Sequence, residues 1–248
     1  MTALGPVDGV LFDIDDTLVD TRGAFVHALA AVAAAYLPDG AADRVDEMLA
    51  TWRADSGGFY RAYTRGELGF VEQRLHRANE LHALFGGPEL TEAEFAAWDE
   101  VFEGGFIAGW SAHGDASPLI DLLLAAGLRV GAVSNAGTAY QENKLARTGF
   151  AGRVPMLVGV DTLGVGKPDP SVFREGARRL GTDPARTVYV GDELDIDAAA
   201  AAAAGLVGIW LDRPGARRVH VPEHEVAAAG VPVITTLADL PALLGLPT

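Results

Sequence analysis

The chain has 248 residues, 34 of them Asp or Glu and 19 Lys or Arg, so its formal net charge is −15. Hydrophobic residues make up 49% and charged residues 21%, a balance that excludes a disordered chain and fits one or two globular domains. The acidity argues against nucleic acid as a partner, because phosphate backbones are bound through clustered Lys and Arg, and the absence of Cys excludes disulfides, thiol nucleophiles and Cys-based zinc or iron–sulfur sites.

The N-terminus has no basic region and no apolar stretch of signal-peptide length, which makes the cytoplasm the default expectation. The longest apolar stretch, residues 198–206, is far shorter than the roughly 20 residues of a spanning helix, so no membrane partner is expected. The first apolar run, Val10-Leu11-Phe12, reads as a buried strand and ends on Asp13-Ile14-Asp15-Asp16-Thr17-Leu18. From 21 to 112 strand-like runs disappear. Helical periodicity covers 25–37, 42–55, 70–84 and 92–103, with a capping box at Thr91 and Glu94. This segment is expected to form an all-helical cap domain, with hinges near 19–22 and 108–114. Its aromatics Trp52, Phe59, Tyr60, Tyr63 and Phe70 read as helix core, and Arg61, Arg65, Arg74 and Arg77 individually as solvated faces.

After the insert the pattern alternates. Ser117-Pro118 should open a helix that Gly127 closes; Val130-Gly131-Ala132-Val133 is a strand ending on Ser134-Asn135; Met156-Leu157-Val158 is another. Lys167-Pro168 precedes a helix capped by Asp169-Pro170 and closed by Gly181. Val188-Tyr189-Val190 ends on Gly191-Asp192-Glu193-Leu194-Asp195-Ile196-Asp197, and the Ala run from Ala198 should form a helix packed close to the sheet before the strand at 207–211. Alternating strand and helix predicts an α/β fold: a doubly wound, Rossmann-like parallel sheet over 1–20 and 113–248, with the helical cap inserted at 21–112. His220 and His224 are spaced for a zinc-binding helix face, but Pro222 between them argues against it.

In such sheets ligands bind beyond the carboxyl ends of the strands, where this chain concentrates its chemistry. Three carboxylates at one strand end repel each other unless a cation or a proton-transfer task uses them. A plain turn is the other reading, since Thr17 and Asp20 have capping-box spacing. The hydroxyl of Ser134 and the N–H of Asn135 suit an anionic oxygen. Lys167 is one of only two lysines, and Asp192 opens a second acidic cluster. A hard cation such as Mg²⁺ prefers a few carboxylate oxygens with water and phosphate, which two opposed acidic strand ends can supply.

Taken together these segments resemble the haloacid dehalogenase superfamily, whose ordered motifs are met by Asp13, Asp15 and Thr17, then Ser134, then Lys167-Pro168, then Gly191, Asp192 and Asp197. The resemblance implies a phosphohydrolase that acts on a small phosphorylated metabolite, with Asp13 as nucleophile and Asp15 as acid and base. It implies Mg²⁺ held by Asp13, the carbonyl of Asp15 and Asp192, with Asp197 orienting those ligands from behind. Thr17, Ser134, Asn135 and Lys167 would bind the phosphoryl group. Glu193 and Ile196 depart from the Ser and Asn common in relatives, and Asp195 offers an alternative to Asp197. Tyr63-x-x-Gly66-Glu67-Leu68 followed by Arg74, and Gln141-x-x-Lys144-Leu145, look like the pyrimidine 5′-nucleotidase and N-acylneuraminate-9-phosphatase branch, which makes Arg74 the candidate substrate contact from a C1-type cap. A phosphomutase keeps the same motifs. A metal-free 2-haloacid dehalogenase usually lacks the second Asp, a phosphonoacetaldehyde hydrolase needs a cap Lys that this insert lacks, and a binding protein that had lost the reaction would be missing one of the four motif roles.

Overall fold

Val10, Leu11 and Phe12 lie in β1 (Gly9–Phe12), whose four residues are all buried, as a strand covered on both faces requires. The computed structural model describes residues 4–64, 66–215, 217 and 221–247; the expectations for Arg65 and His220 fall outside these. Among the described residues five α-helices follow: α1 (Thr21–Tyr36), α2 (Val45–Ala54), α3 (Phe59–Thr64), α4 (Phe70–Phe85) and α5 (Glu92–Ala108). Then come α6 (Ala116–Ala125), β2 (Arg129–Val133), α7 (Thr138–Arg147), β3 (Met156–Val158), α8 (Val160–Leu163), α9 (Pro170–Leu180), β4 (Thr187–Gly191), α10 (Ala200–Ala203) and β5 (Val207–Leu211). The described chain closes with α11 (Glu223–Ala229), β6 (Val233–Ile234) and α12 (Leu240–Leu243). Two compact units result, Met1–Asp20 with Ser111–Thr248 and, separately, Thr21–Trp110.

The first unit holds one six-stranded sheet in the order β3-β2-β1-β4-β5-β6, with every pairing parallel. Because side chains alternate along a strand, Val10 and Phe12 pack on one face with Leu119, Ile120 and Leu123 of α6. Leu11 packs on the other with Phe173 of α9 and Ala201 of α10. The chain winds outward from β1 in one direction, then crosses back to β4, so the strand order reverses between β1 and β4, which is where such sheets place their ligands. The Ala run does approach the sheet closely. It begins as a wide, π-type turn over Leu194–Ala199, and a Cβ on Gly208 of β5 would collide with the carbonyl of Ala198.

Where α6 begins, the structure corrects the sequence expectation. The helix starts at Ala116 rather than at Ser117-Pro118, and Asp115 stands at its N-cap without capping it. Its carboxylate instead accepts two hydrogen bonds from Arg213, at 2.8 Å each, one from the Thr236 hydroxyl at 2.6 Å and one from the Leu237 N–H at 2.9 Å. Burial pushes this carboxyl up, but the Arg213 guanidinium and the other donors outweigh it and hold the pKa at about 2. A depressed carboxyl stabilises the fold above its unfolded value of 3.8, and that contribution is lost as pH falls from there toward 2. Asp115→Asn is therefore expected to cost up to about 2 kcal/mol in urea unfolding near neutral pH. The deficit should narrow as pH is lowered toward about 3. A deficit independent of pH would show that shape, not charge, makes the contribution.

The helical unit is built on aromatics. Phe25 of α1, Trp52 of α2 and Trp98, Phe102 and Phe106 of α5 form one tilted and stacked column. Trp98 Nε1 donates to His82 Nε2 at 2.9 Å, so the other ring nitrogen of His82 must be the one that donates to the Pro88 carbonyl at 2.7 Å. Burial lowers the His82 pKa, in keeping with this neutral ring. Two sequence expectations are corrected here. Phe70 is 45% exposed, while Arg77 is buried over the Trp52 ring and donates to the Trp52 carbonyl at 2.6 Å. A guanidinium has weak hydration and a flat face, and stacks on indole more readily than its charge suggests. Among the described residues no helix is long and apolar enough to cross a membrane.

Candidate active site

Asp13 follows the last residue of β1 and extends its ladder, donating its N–H to the Val190 carbonyl at 2.9 Å. Ser134 follows β2 and Asp192 follows β4, so three neighbouring parallel strands deliver these residues to one end of the sheet. The crowded carboxylates of the first motif are then separated, each with partners of its own. Asp13 accepts from Lys167 Nζ at 2.6 Å. Asp15 accepts from Lys144 Nζ at 2.5 Å and Gln141 Nε2 at 2.6 Å. Asp16 turns into the left-handed region with a φ of 57° and groups with Asp20 and His113.

Lys167 is the hub. Its ammonium reaches Asp13 and Asp197 at 2.6 Å each and the Tyr189 hydroxyl at 3.0 Å, all within the protein interior. Burial works against a charged Lys167, but Asp13 and Asp197 outweigh it and hold its pKa well above the ordinary value. The backbone of Lys167, which precedes a cis bond to Pro168, is pinned by the Asn135 side chain. That amide accepts from the Lys167 N–H at 2.6 Å and donates to the Lys167 carbonyl at 2.9 Å. Asn135 was expected to serve through its backbone N–H; its side chain is what holds the Lys167 backbone in place.

Asp197 accepts from Lys167 through one oxygen and from the Glu193 N–H at 3.0 Å through the other. It is 1% exposed, whereas Asp195 is an exposed residue of the same turn, so the structure brings Asp197 and not Asp195 into the cluster. Gly191 makes this possible, since a Cβ there would overlap the Asp197 carboxyl. Carboxylate oxygens of Asp13, Asp192 and Asp197 lie within 4.8 Å of one another. Burial, and then Asp197 and Asp15, push the Asp13 carboxyl up to about 8 although Lys167 opposes them. Burial, and then Asp13 and Asp197, push Asp192 well above the usual carboxylate range. A buried set of hard oxygen donors that also repel one another fits a hard divalent cation, whose charge would offset both burial and repulsion.

Two expected site residues have surroundings that the sequence did not show. Thr17 is fully enclosed and its hydroxyl has no hydrogen-bond partner among the described residues. Arg74 belongs to the helical unit, where Asp99 and Glu103 accept from it at 2.8 and 3.0 Å and its guanidinium lies over the Phe70 and Phe102 rings. The charge expected to face a leaving group is already matched by two carboxylates. Conversely, Tyr189 and the direct partners of Asp15 were not anticipated. The signal for Tyr189 was a lone phenol in a buried strand, whose hydroxyl must find a partner.

A family model for haloacid dehalogenase-like hydrolases matches residues 7–205. Over 243 residues the chain is 30% identical to a plasmid-encoded phosphoglycolate phosphatase of Cupriavidus necator, covering 96% of this chain and 94% of that one. It is 39% identical over 99 residues to a glyceraldehyde 3-phosphate phosphatase of Methanopyrus kandleri, a match covering 40% of this chain and 42% of the relative's length. Among solved structures, the HAD-hydrolase YfnB of Bacillus subtilis bound to magnesium superposes with a TM-score of 0.76 at 23% identity, covering 98% of this chain and all of that one.

Proposed function

The chain belongs to the haloacid dehalogenase-like hydrolase family, and from that premise we propose that it is a Mg²⁺-dependent phosphatase, hydrolysing a small nucleotide or sugar phosphate through an aspartyl-phosphate. The observation that carries this reading is the buried cluster itself. Asp13, at a strand end, is joined through Lys167 to Asp197, and Asp192 lies within the same few ångströms. The relatives' names point the same way, since both of those cited are phosphatases of small phosphate esters.

In the first half-reaction a carboxylate oxygen of Asp13 forms a bond to phosphorus while the ester P–O bond breaks, and Asp15 hands its proton to the departing alkoxide. In the second, Asp15 takes a proton from water, whose oxygen bonds to phosphorus as the P–O bond to Asp13 breaks, leaving inorganic phosphate and a free Asp13. Lys167 and the Ser134 hydroxyl offset the charge on the phosphoryl oxygens. A divalent cation, held when bound by Asp13, Asp192 and the backbone carbonyl of Asp15, would neutralise carboxylate and phosphoryl charge at once. Asp15 and the acidic cluster around Asp192 speak against a metal-free dehalogenase.

Phosphate release from p-nitrophenyl phosphate and from a panel of sugar and nucleotide phosphates tests the proposal. With Mg²⁺ at least one ester should turn over. EDTA is expected to reduce the rate by about 10²-fold or more, reversibly, if the cation contributes several kcal/mol. A chain that releases phosphate from none of them, with or without Mg²⁺, is not a phosphatase.

A further inference from the structure

Both lysines of this chain end on the first acidic motif, Lys167 on Asp13 and Lys144 on Asp15. The second pairing has no part in the chemistry described above, yet it places a Lys side chain that is only 2% exposed against a carboxylate that is 35% exposed. Beside it Gln141 is wholly buried and its amide oxygen has no hydrogen-bond partner. Burying an ammonium and leaving an amide oxygen unsatisfied both cost stability, and apolar residues of similar volume usually fill such space better. The pair is therefore poorly explained as packing.

Its geometry explains it better. Gln141 and Lys144 are three residues apart on α7, so they share one face of that helix. The two N–H bonds of the Gln141 amide are divided between Asp15 at 2.6 Å and the Ser134 hydroxyl oxygen at 2.8 Å. Lys144 holds the other oxygen of Asp15 at 2.5 Å. With each oxygen tied to a different donor, the carboxyl plane is fixed. The Ser134 oxygen also accepts from the Ala136 N–H at 3.2 Å. Both of its lone pairs are thus occupied, and its own O–H is left to be donated.

We propose that Gln141 and Lys144 are positioning residues that jointly set Asp15 for proton transfer to the leaving group and turn Ser134 into an obligate donor to the phosphoryl oxygen. This rests on the phosphatase reading above and extends it to residues that act through Asp15 and Ser134.

Leaving-group dependence separates this role from a structural one. For a reaction through a covalent intermediate, kcat/KM reports only the steps up to its formation. p-Nitrophenolate departs without a proton, whereas an alkoxide needs one. In Lys144→Met and Gln141→Leu, kcat/KM for an alkyl phosphate is expected to fall about 10²-fold, and at least about ten times further than for p-nitrophenyl phosphate. Gln141→Glu, which keeps the shape but sets a carboxylate against Asp15, should show the same divergence if the leucine variant does not fold. Lys144→Arg, which retains the donor and charge, should recover most of the alkyl phosphate activity. Equal losses on both esters, or folded variants that lose nothing, would overturn the proposal. Failure of the phosphatase reading looks different: the unaltered chain then hydrolyses neither ester, and this proposal falls with it.

Discussion

Asp13→Asn is expected to abolish turnover, by about 10⁵-fold or more, because it removes the nucleophile and with it the covalent route. The same substitution should leave the fold intact and, in EDTA, stabilise it. The Asp13 carboxyl is pushed up to about 8, chiefly by burial and then by Asp197 and Asp15, against 3.8 unfolded. A group raised in this way contributes its full stability below 3.8 and loses it as pH rises toward 8, since folding must then either retain a proton or bury a charge. The amide, neutral throughout, escapes that loss. Thermal unfolding in EDTA should therefore show the variant gaining on the unaltered chain as pH is raised from about 4 to 8, with Mg²⁺ closing the gap by binding the unaltered site. Residual phosphatase activity within tenfold of the unaltered chain, on the scale of a factor of ten per about 1.4 kcal/mol, would remove Asp13 from the mechanism. A variant less stable at every pH would mean that Lys167 overcompensates the repulsion around it.

Most of the sheet was legible because its interior strands are covered on both faces and so read as short apolar runs. The edge strand β6 was not legible: Val233–Ile234 is two residues long and follows Pro232, too short for any period to declare itself. The motif residues were legible for a physical reason as well, since Asp13 and Asp192 at strand ends and Lys167 in the loop before α9 are of types that globular proteins seldom bury. Helix faces misled in the opposite direction. Arg77 and Arg74 have the spacing of solvated charges, and only the structure shows the Trp52 ring beneath one and two carboxylates around the other. Lys144 illustrates the same limit, because an ion pair 129 residues apart in sequence leaves no local pattern.

The Lys167→Met variant is expected to show the largest effect on stability, and the argument turns on which charges it strands. The ammonium lies 2.6 Å from an oxygen of Asp13 and 2.6 Å from one of Asp197, with the Tyr189 hydroxyl at 3.0 Å. Removing one partner of a buried ion pair typically costs about 3–5 kcal/mol, because the remaining charges cannot regain their hydration. Here two carboxylates are left, beside a third in Asp192 that burial and these same neighbours already push up. Turnover should fall as well, by about 10²–10³-fold, through the loss of one preorganised charge at the phosphoryl oxygens. Lys167→Arg separates the two effects: it keeps the charge and much of the stability, but a planar guanidinium cannot reproduce a compact ammonium between two oxygens, so turnover should stay low. Mg²⁺ should restore part of the stability of the Met variant and little of its activity, since a cation can neutralise the carboxylates without replacing the donor. Urea unfolding with and without Mg²⁺ measures the first effect and phosphate release the second. If Lys167→Met unfolds at the same urea concentration as the unaltered chain, then the ammonium contributes nothing to the fold and serves catalysis alone.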